Sequence, residues 1–294
     1  MRDSYESQFC GDEWSEFQNL LDECNFHNWS FQVTVDNVEN WMKAIKSLKA
    51  GKAEGACSWR YQEFHQLPVL AVRHLALIFE RIWDFGLTPK LMLARVCLLE
   101  KCAAPKSMAD ARPVTILLCL YRLAAKMVFQ QVIAHWSDRM PIQVSGGFAG
   151  RGVRDLSIVQ TIHVEKALRD QEFLCGSTMD LAKAFNLVPR YPAAILMNRL
   201  GVPWSCLNFW LQSLSNMSRS PLIAGSMGTC IGSTTGVPEG DVLSILAMLA
   251  TSALFYYRNL SSRVSPFAYA DRPQLSGTIS SLGSKPSTWL QFSE

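Results

Sequence analysis

Two acidic residues, far apart in the chain, each follow a short segment with the pattern of a β-strand. One strand is predicted over Glu172–Met179 and leads to Asp180, and a second, over Pro266–Tyr269, leads to Asp271. Carboxylates at the ends of neighbouring strands can meet and hold hard cations, which prefer oxygen ligands. Two such ions roughly 3.5–4 Å apart would serve phosphoryl transfer by activating the attacking oxygen and stabilising the leaving oxygen.

Each acid also has a simpler interpretation. Asp180 could cap the helix that is predicted to follow it, and Asp271 could be a turn residue before Pro273. For either acid alone the simpler interpretation is the better one, and the predicted metal site therefore depends on both being present.

The rest of the chain mixes helical and strand-like segments, which predicts an α/β fold. Apolar residues at helical spacing predict helices over Val69–Phe85, Asp155–Asp170 and Asp241–Tyr257. Short apolar runs predict strands over Leu91–Leu99 and Ser220–Ile231. The second and third helices are expected to pack against the sheet that carries the two acids.

The charge of the chain is unevenly distributed. At 294 residues and 49% hydrophobic, it can bury a sizeable core, or two subdomains that share a cleft. Residues 1–40 carry nine acids against one base, whereas the remainder carries 27 bases and 16 acids. A basic body with an acidic, solvated extension is typical of proteins that bind polyanions, although ordinary surface charge gives the same balance. Apolar residues between Trp14 and Leu21 indicate one amphipathic helix within the extension.

Cysteine usage and apolar content bear on the compartment. Nine scattered cysteines without metal-ligand spacing indicate the reduced core of an intracellular protein. The N-terminal residues contain no apolar segment, and we therefore expect no secretory signal. The most apolar stretch, Val242–Tyr257, is interrupted by hydroxyl residues and falls short of the roughly 20 apolar residues of a membrane span. We expect no membrane contact; a nuclear and a cytoplasmic location both agree with the sequence, which does not reveal the compartment.

Three motifs stand in order along the second half of the chain. They are Asp180–Asn186 (Asp-Leu-Ala-Lys-Ala-Phe-Asn), Gly236–Asp241 (Gly-Val-Pro-Glu-Gly-Asp) with Ser244 beyond it, and Tyr269–Asp271 (Tyr-Ala-Asp). In order and spacing they resemble the three palm motifs of the reverse transcriptases of non-LTR retrotransposons, the elements that lack long terminal repeats. Each motif alone is weak, but the three together are specific.

Upstream segments extend the resemblance, which covers roughly residues 41–271. Lys52–Gly55, followed by Trp59, is similar to the opening fingers motif of the family, with Cys57-Ser58 in place of its Asp-Gly pair. Further similar segments are Leu98–Lys101 and Arg112–Leu117, which match strands that grip the incoming nucleotide, then Tyr121–Leu123, and Gly146–Arg151, which matches a loop that supports the template.

The resemblance implies an RNA-directed DNA polymerase whose partners are an RNA template, a DNA primer and deoxynucleoside triphosphates. Asp180 and Asp271 would be the catalytic acids and would hold two Mg²⁺ ions, for which Mn²⁺ could substitute. The backbone carbonyl of Leu181 would be a further metal ligand. No obligate protein partner is implied.

The resemblance also implies roles in nucleotide and template binding. Phe185 would lie under the sugar and exclude a 2′-hydroxyl, the group that separates RNA from DNA, or it could be a core residue. Lys101 and Arg112 would reach the triphosphate, or could be solvated surface charges. Gly236 would allow a close approach to the nucleotide. The implied template and primer contacts are Gly147, Arg151 and Gly240.

The implied architecture is a polymerase right hand with fingers and palm only, in which an antiparallel palm sheet packs on helices and a thumb is absent. We expect an acidic N-terminal extension over residues 1–40 and fingers over 41–171. A partial palm is expected over 172–271, followed by a divergent, disordered tail over 272–294.

The sequence departs from the family at the third motif. Arg272 stands where the family has a second acid, and a cation there would repel the metal ions. Pro273 and a Ser/Gly-rich stretch then replace the expected apolar strand. We expect that the chain diverges from its parental sequence after Asp271, through reading frame, splicing or the element itself, and polymerises poorly. The main alternative is a non-catalytic nucleic-acid-binding remnant. A palm polymerase that makes RNA is disfavoured by Phe185, and a palm-type cyclase by the fingers motifs.

Overall fold

The helices follow the apolar spacing of the sequence. The predicted helix over Val69–Phe85 is confirmed: it forms an α-helix over Val69–Ile82 that tightens into a 3₁₀ turn and stops at Gly86, where φ is 65°. Its buried residues recur at intervals of four and three, on one face. They are Val72, Ala76 and Phe79.

The computed structural model describes residues 11–24, 29–100, 111–181, 183–223, 225–260, 264–269 and 272–279. Within these ranges no helix has the length and apolarity of a membrane span. The α-helices are α1 (Gly11–Glu23), α2 (Val38–Ser47), α3 (Tyr61–His65), α4 (Val69–Ile82), α5 (Cys119–Ser137), α6 (Val153–Arg169), α7 (Ala184–Leu187), α8 (Arg190–Arg199), α9 (Trp204–Ser215) and α10 (Val242–Asn259).

The described strands form two sheets. The first has the order β2-β1-β5-β6, with β7 also paired to β5; β1 runs antiparallel to β2 and parallel to β5. The predicted strand over Leu91–Leu99 is confirmed as β1, and the predicted strand-like segment Ser220–Ile231 becomes three short strands. These strands are β1 (Leu93–Glu100), β2 (Ala111–Ile116), β5 (Ser218–Ile223), β6 (Ser226–Met227) and β7 (Ile231–Gly232).

The second sheet has the order β3-β8-β9-β4 and carries both segments that lead to the predicted catalytic acids. Strands β8, β9 and β4 pair antiparallel, whereas β3 runs parallel to β8. Helix α10 packs against β3, β8 and β9, and α6 contacts β4, which confirms that both helices lie against this sheet. The strands are β3 (Val144–Ser145), β4 (Phe173–Thr178), β8 (Val264–Tyr269) and β9 (Arg272–Ile279).

The prediction of a disordered tail from residue 272 onward is wrong for its first eight residues, because Arg272–Ile279 form β9 between β8 and β4. Pro273 lies opposite Ala268 of β8, but the pairing with β4 ends at Gln274, opposite Thr178. The proline is therefore paired on one side only, which is where a residue without an N–H is tolerated. The remainder of the predicted tail lies outside the described residues.

One buried apolar cluster runs through both predicted subdomains. Its centre contains Trp83 stacked on Phe209, with ring centroids 4.2 Å apart and planes 3° from parallel. Trp136 in α5 is fully buried, and its indole N–H donates to the carbonyl of Leu200, at 2.9 Å. The core therefore continues across the predicted boundary between residues 171 and 172, and the subdomain boundaries themselves stay a prediction.

The acidic N-terminal segment is not a solvated leader where the structure describes it. The predicted amphipathic helix is confirmed as α1, and it packs on the core through the buried Leu21. Trp14 stacks on Tyr191 of α8, at 6.0 Å between centroids. Glu23 pairs with Arg258 of α10. An apolar stripe thus outweighs the acidic character of the segment, because the acids occupy its exposed face.

Candidate nucleotide and metal site

Asp180 lies two residues beyond the end of β4, at the edge of the sheet where β8 ends and β9 begins. Thr178, the last residue of β4, is opposite Gln274 of β9, and Tyr269 of β8 is opposite Arg272 of β9. Continued by two residues, the β4–β9 register brings Asp180 level with Arg272. Asp271 itself lies outside the described residues, but the strands on either side of it end at the same edge of the sheet as β4.

The predicted metal ligands that lie among the described residues are both oxygen donors. Asp180 is exposed, and Leu181, whose backbone carbonyl is a predicted ligand, is 44% exposed. A carboxylate and a carbonyl are ligands that Mg²⁺ accepts. Among the described residues, no group of three or more histidine, cysteine, aspartate or glutamate side chains could hold a metal ion. The predicted pair of acids therefore stays a prediction.

The loop of the second motif packs directly on the segment that follows Asp180. The amide of Val237 donates to the carbonyl of Phe185 at 2.7 Å, and the amide of Gly236 donates to the carbonyl of Val188 at 3.1 Å. Gly236 has a φ of 72°, and a Cβ there would lie 2.7 Å from the carbonyl carbon of Asn186 and closer still to its oxygen. Only glycine fits this close approach between two motifs about 50 residues apart.

The other side of the same loop is attached to β2. The amide of Thr115 donates to the carbonyl of Glu239 at 2.9 Å. Gly240 has a φ of 108°, and a Cβ there would lie 2.8 Å from the carbonyl oxygen of Thr115. The requirement for glycine at this position therefore follows from packing against the first sheet, and the predicted contact of Gly240 with template or primer stays a prediction.

Asp241 ends the loop and is almost fully buried. Its carboxylate caps α10 by accepting from the amide of Leu243 at 3.2 Å, and it accepts from the Tyr121 hydroxyl at 3.0 Å and from the Ser244 hydroxyl at 3.5 Å. Burial raises the pKa of Asp241 to about 6, although these hydrogen bonds oppose the rise. Burial also raises the pKa of Tyr121, and the neighbouring carboxylate raises it further.

Arg190 is a buried residue of this region that sequence reasoning did not single out. Its guanidinium donates from Nε to the carbonyl of Gly236 at 2.7 Å and from Nη2 to the carbonyl of Thr235 at 3.3 Å. It also reaches the Ser233 hydroxyl and the carbonyl of Leu214, each at 3.4 Å. In the sequence, Arg190 follows Pro189 and carries no signal that it is buried.

The predicted nucleotide-binding residues have different environments. Phe185 is half-buried and packs against the core cluster, which agrees with the alternative of a core residue without excluding a nucleotide contact from its exposed part. Arg112 is exposed on β2, opposite Leu99 of β1. Lys101 lies outside the described residues. The assigned contacts with sugar and triphosphate therefore stay predictions.

Gly147 and Arg151, the predicted template residues, both have structural tasks. A Cβ on Gly147 would lie 2.8 Å from Cγ2 of Ile245 and 2.9 Å from Cδ1 of Leu249, and its bare backbone is thus needed to pack on α10. The Arg151 guanidinium donates to the carbonyls that follow α5 and lies over the Phe148 ring, 4.5 Å from its centroid. The carbonyls are those of Ser137, Met140 and Pro141. Template contacts by these residues stay a prediction.

Comparison with known proteins supplies one informative relative. The chain is 25% identical, over an alignment of 238 residues that covers 79% of its length, to a protein of Drosophila melanogaster named "Probable RNA-directed DNA polymerase from transposon BS". No protein-family profile matches the chain. The match supports a reverse-transcriptase-like domain of the non-LTR retrotransposon type. The resemblance that the motifs predicted is thereby confirmed, and the domain spans about a quarter of the length of this relative.

The close approach at Gly236 predicts unequal effects of two alanine substitutions. Gly225→Ala also places alanine at positive φ, but no atom lies within 4 Å of its Cβ, and we expect it to lower the free energy of unfolding of the domain by only about 1–2 kcal/mol. Gly236→Ala adds the collision with Asn186, and we expect a further loss of roughly 1–3 kcal/mol. Chemical denaturation followed by circular dichroism measures both, and equal effects would contradict the described packing.

The raised pKa of Asp241 predicts a dependence of stability on pH. Because the folded state holds this proton more tightly than the unfolded state, stability is highest below pH 4 and falls as pH rises through about 6. Relative to Asp241→Asn, which keeps the cap, the reference domain should lose roughly 2–3 kcal/mol of unfolding free energy over that window. Denaturant titrations at pH 4, 5, 6 and 7 test this. Parallel curves for the two proteins would show that the carboxylate is not destabilised by burial.

Proposed function

We propose that the chain is the nucleotidyl-transfer domain of an RNA-directed DNA polymerase, impaired in its present sequence. The observation that carries the proposal is the meeting of separate motif segments: the loop 236–240 makes backbone hydrogen bonds to residues 185–188, and β4, which leads to Asp180, pairs with the hairpin that contains the third motif. The name of the Drosophila relative supports the same activity. These segments would share one cleft, as a two-metal polymerase requires.

In this proposal Asp180 and Asp271 hold two Mg²⁺ ions, assisted by the carbonyl of Leu181. When bound, such ions supply the activation of a primer hydroxyl and the stabilisation of the leaving pyrophosphate. Arg112 and Lys101 bind the triphosphate, where the planar fork of arginine suits phosphate oxygens. An RNA template and a DNA primer would bind the basic surface mainly through phosphates, with an affinity that falls as salt rises.

Phe185 and Gly236 would form the floor and wall of the nucleotide pocket. They belong to segments that are joined by the Val237–Phe185 and Gly236–Val188 hydrogen bonds, which fix the backbone of Phe185 relative to the loop. An aromatic ring under the sugar would exclude a ribose 2′-hydroxyl and favour deoxynucleotides. The choice of nucleotide and the binding of metal ions would thus depend on neighbouring segments that are packed against each other.

The impairment follows from Arg272. Its backbone position in β9 is level with Asp180 in the extended register, and it directly follows Asp271. A guanidinium there adds positive charge where two divalent cations must bind, and it supplies no oxygen ligand. This residue also favours the second candidate function, a remnant that binds nucleic acid without chemistry, because nothing in phosphate binding requires an acid at that position.

Replacing the cation by an acid should raise the activity. We expect Arg272→Asp to increase primer extension on a poly(A) template with an oligo(dT) primer and Mg²⁺ by on the order of tenfold or more over the unaltered chain. Arg258→Asp, in α10 at an exposed ion pair with Glu23, controls for a general change of charge. Robust synthesis by the unaltered chain, with no gain from Arg272→Asp, would refute the proposed impairment.

Removing the first acid should abolish that activity. In the Arg272→Asp background, we expect Asp180→Asn to reduce incorporation by on the order of 100-fold or more, since the metal loses a charged ligand. Asp170→Asn, which removes an exposed carboxylate after α6, is the matched control and should have little effect. Filter binding of the RNA–DNA duplex should be unchanged in all variants. Duplex binding without incorporation in any variant would favour the non-catalytic remnant.

A further inference from the structure

Arg190 is unusual in being a cation that is only 3% exposed. A buried guanidinium is costly unless its donors are used, and this one donates to four oxygens from two stretches of chain. Two of them, the carbonyls of Thr235 and Gly236, belong to the loop of the second motif. A third, the Ser233 hydroxyl, stands at the start of that loop. The buried Arg190 side chain thus binds the loop from the side that faces the protein interior.

The peptide groups of Gly236 are held on both sides. Its amide donates to the carbonyl of Val188, and its carbonyl accepts from Arg190, two residues later in the chain. A glycine at positive φ has wide conformational freedom of its own, and a loop centred on it keeps one position only if its surroundings fix it. Arg190 and Val188 supply that restraint from one short segment.

The restraint extends to the aromatic residue under the proposed sugar site. Val237, the next residue of the loop, donates to the carbonyl of Phe185. Arg190, Val188 and Phe185 therefore bind the backbone of three consecutive residues of the loop, which are Thr235, Gly236 and Val237. Any shift of the loop relative to Phe185 would have to break one of these hydrogen bonds.

We propose that Arg190 is a positioning residue that sets the selectivity for deoxynucleotides, by fixing the distance between the Gly236 loop and Phe185. This inference rests on the proposed function and names a determinant of its substrate choice. A change in pocket width of a fraction of an ångström decides whether a 2′-hydroxyl fits. Misplacement of reacting groups by about 1 Å changes rates on the order of 100-fold. Arg190 touches no reacting atom and acts through the loop.

The chemistry of the side chain predicts a graded series of variants. Lysine keeps the charge, but its single ammonium group cannot reach all four oxygens in the planar arrangement of a guanidinium. Methionine keeps the apolar stem and removes every donor. Arg199, the last residue of the same helix, has a side chain that is 45% exposed and lies 3.7 Å from Asp22, and Arg199→Met is therefore a matched control outside the loop.

The experiment compares the reference chain with Arg190→Lys, Arg190→Met and Arg199→Met, all in the full-length Arg272→Asp background. Equilibrium binding of dTTP and of UTP to the complex with poly(A) and oligo(dT), in the presence of Mg²⁺, gives a discrimination ratio for each. We expect Arg190→Met to lower the ratio about tenfold and Arg190→Lys to lower it less, with Arg199→Met unchanged. Hydrogen exchange should be faster over residues 233–241 in the two Arg190 variants, with the amides of α5 unaffected.

The possible outcomes separate the two proposals. Equal discrimination in all four proteins, with nucleotide bound, would overturn the positioning role and leave the polymerase assignment intact. Absence of nucleotide binding to the reference complex would overturn the assignment, and the selectivity role with it. If Arg190→Met fails to fold, Arg190→Lys decides: unchanged selectivity together with faster exchange of the loop would show that the arginine acts on stability alone.

Discussion

The contact between Gly236 and the backbone of Asn186 is the constraint on which the rest of the site depends. It forces two motifs that are distant in the sequence to lie at van der Waals distance, and it can form only because residue 236 has no side chain. The segment it touches leads back to Asp180 and β4, while the loop leads forward to Asp241 and α10. The position of β4 is therefore coupled to that of α10 through one pair of peptide groups.

A buried polar network supports this contact from behind. The Tyr121 hydroxyl donates to Asp241, and Arg190 lies close enough to oppose, by its charge, the rise in the Tyr121 pKa that burial and the Asp241 carboxylate cause. In such a network a buried group is satisfied by its neighbour, and loss of Asp241 would leave the Tyr121 hydroxyl buried without this acceptor, which is more costly than the bond itself. The loop thus keeps one position because moving it would leave buried groups unsatisfied, just as the core keeps one packing arrangement.

Much of the framework could be predicted from the sequence because it depends on periodicity. The helices α4 and α10, the strand β1 and the strand before Asp180 all follow from apolar spacing, and the motif order predicted the family. What periodicity cannot reveal is where a polar side chain ends up. Arg190 and Asp241 look in the sequence like any surface arginine and helix cap, and their burial is a consequence of tertiary packing.

Two further differences have the same physical origin. Arg151 looks like a phosphate ligand, but its guanidinium is engaged by the carbonyl of Ser137 at the end of α5, where a helix leaves acceptors that some donor must satisfy, and by the carbonyls of Met140 and Pro141 beyond it. The segment after Asp271 looks unable to form a strand, but β9 forms because backbone groups of β8 and β4 offer partners on both of its sides. Local propensity was outweighed in each case by hydrogen-bonding groups that are remote in the sequence.

The formation of β9 shows that the fold of this domain does not require an acid at position 272, whereas the proposed chemistry does. Strand pairing uses peptide groups and is indifferent to the charge of the residue at position 272, whereas a pair of divalent ions is sensitive to that charge above all. An arginine can therefore replace an acid beside Asp271 without disturbing the ladder, the core or the Gly236 loop. Under the proposed function, a chain of this kind would keep its fold and its nucleic-acid-binding surface after the metal site had been weakened, and for this reason nucleic-acid binding and nucleotide incorporation must be measured separately.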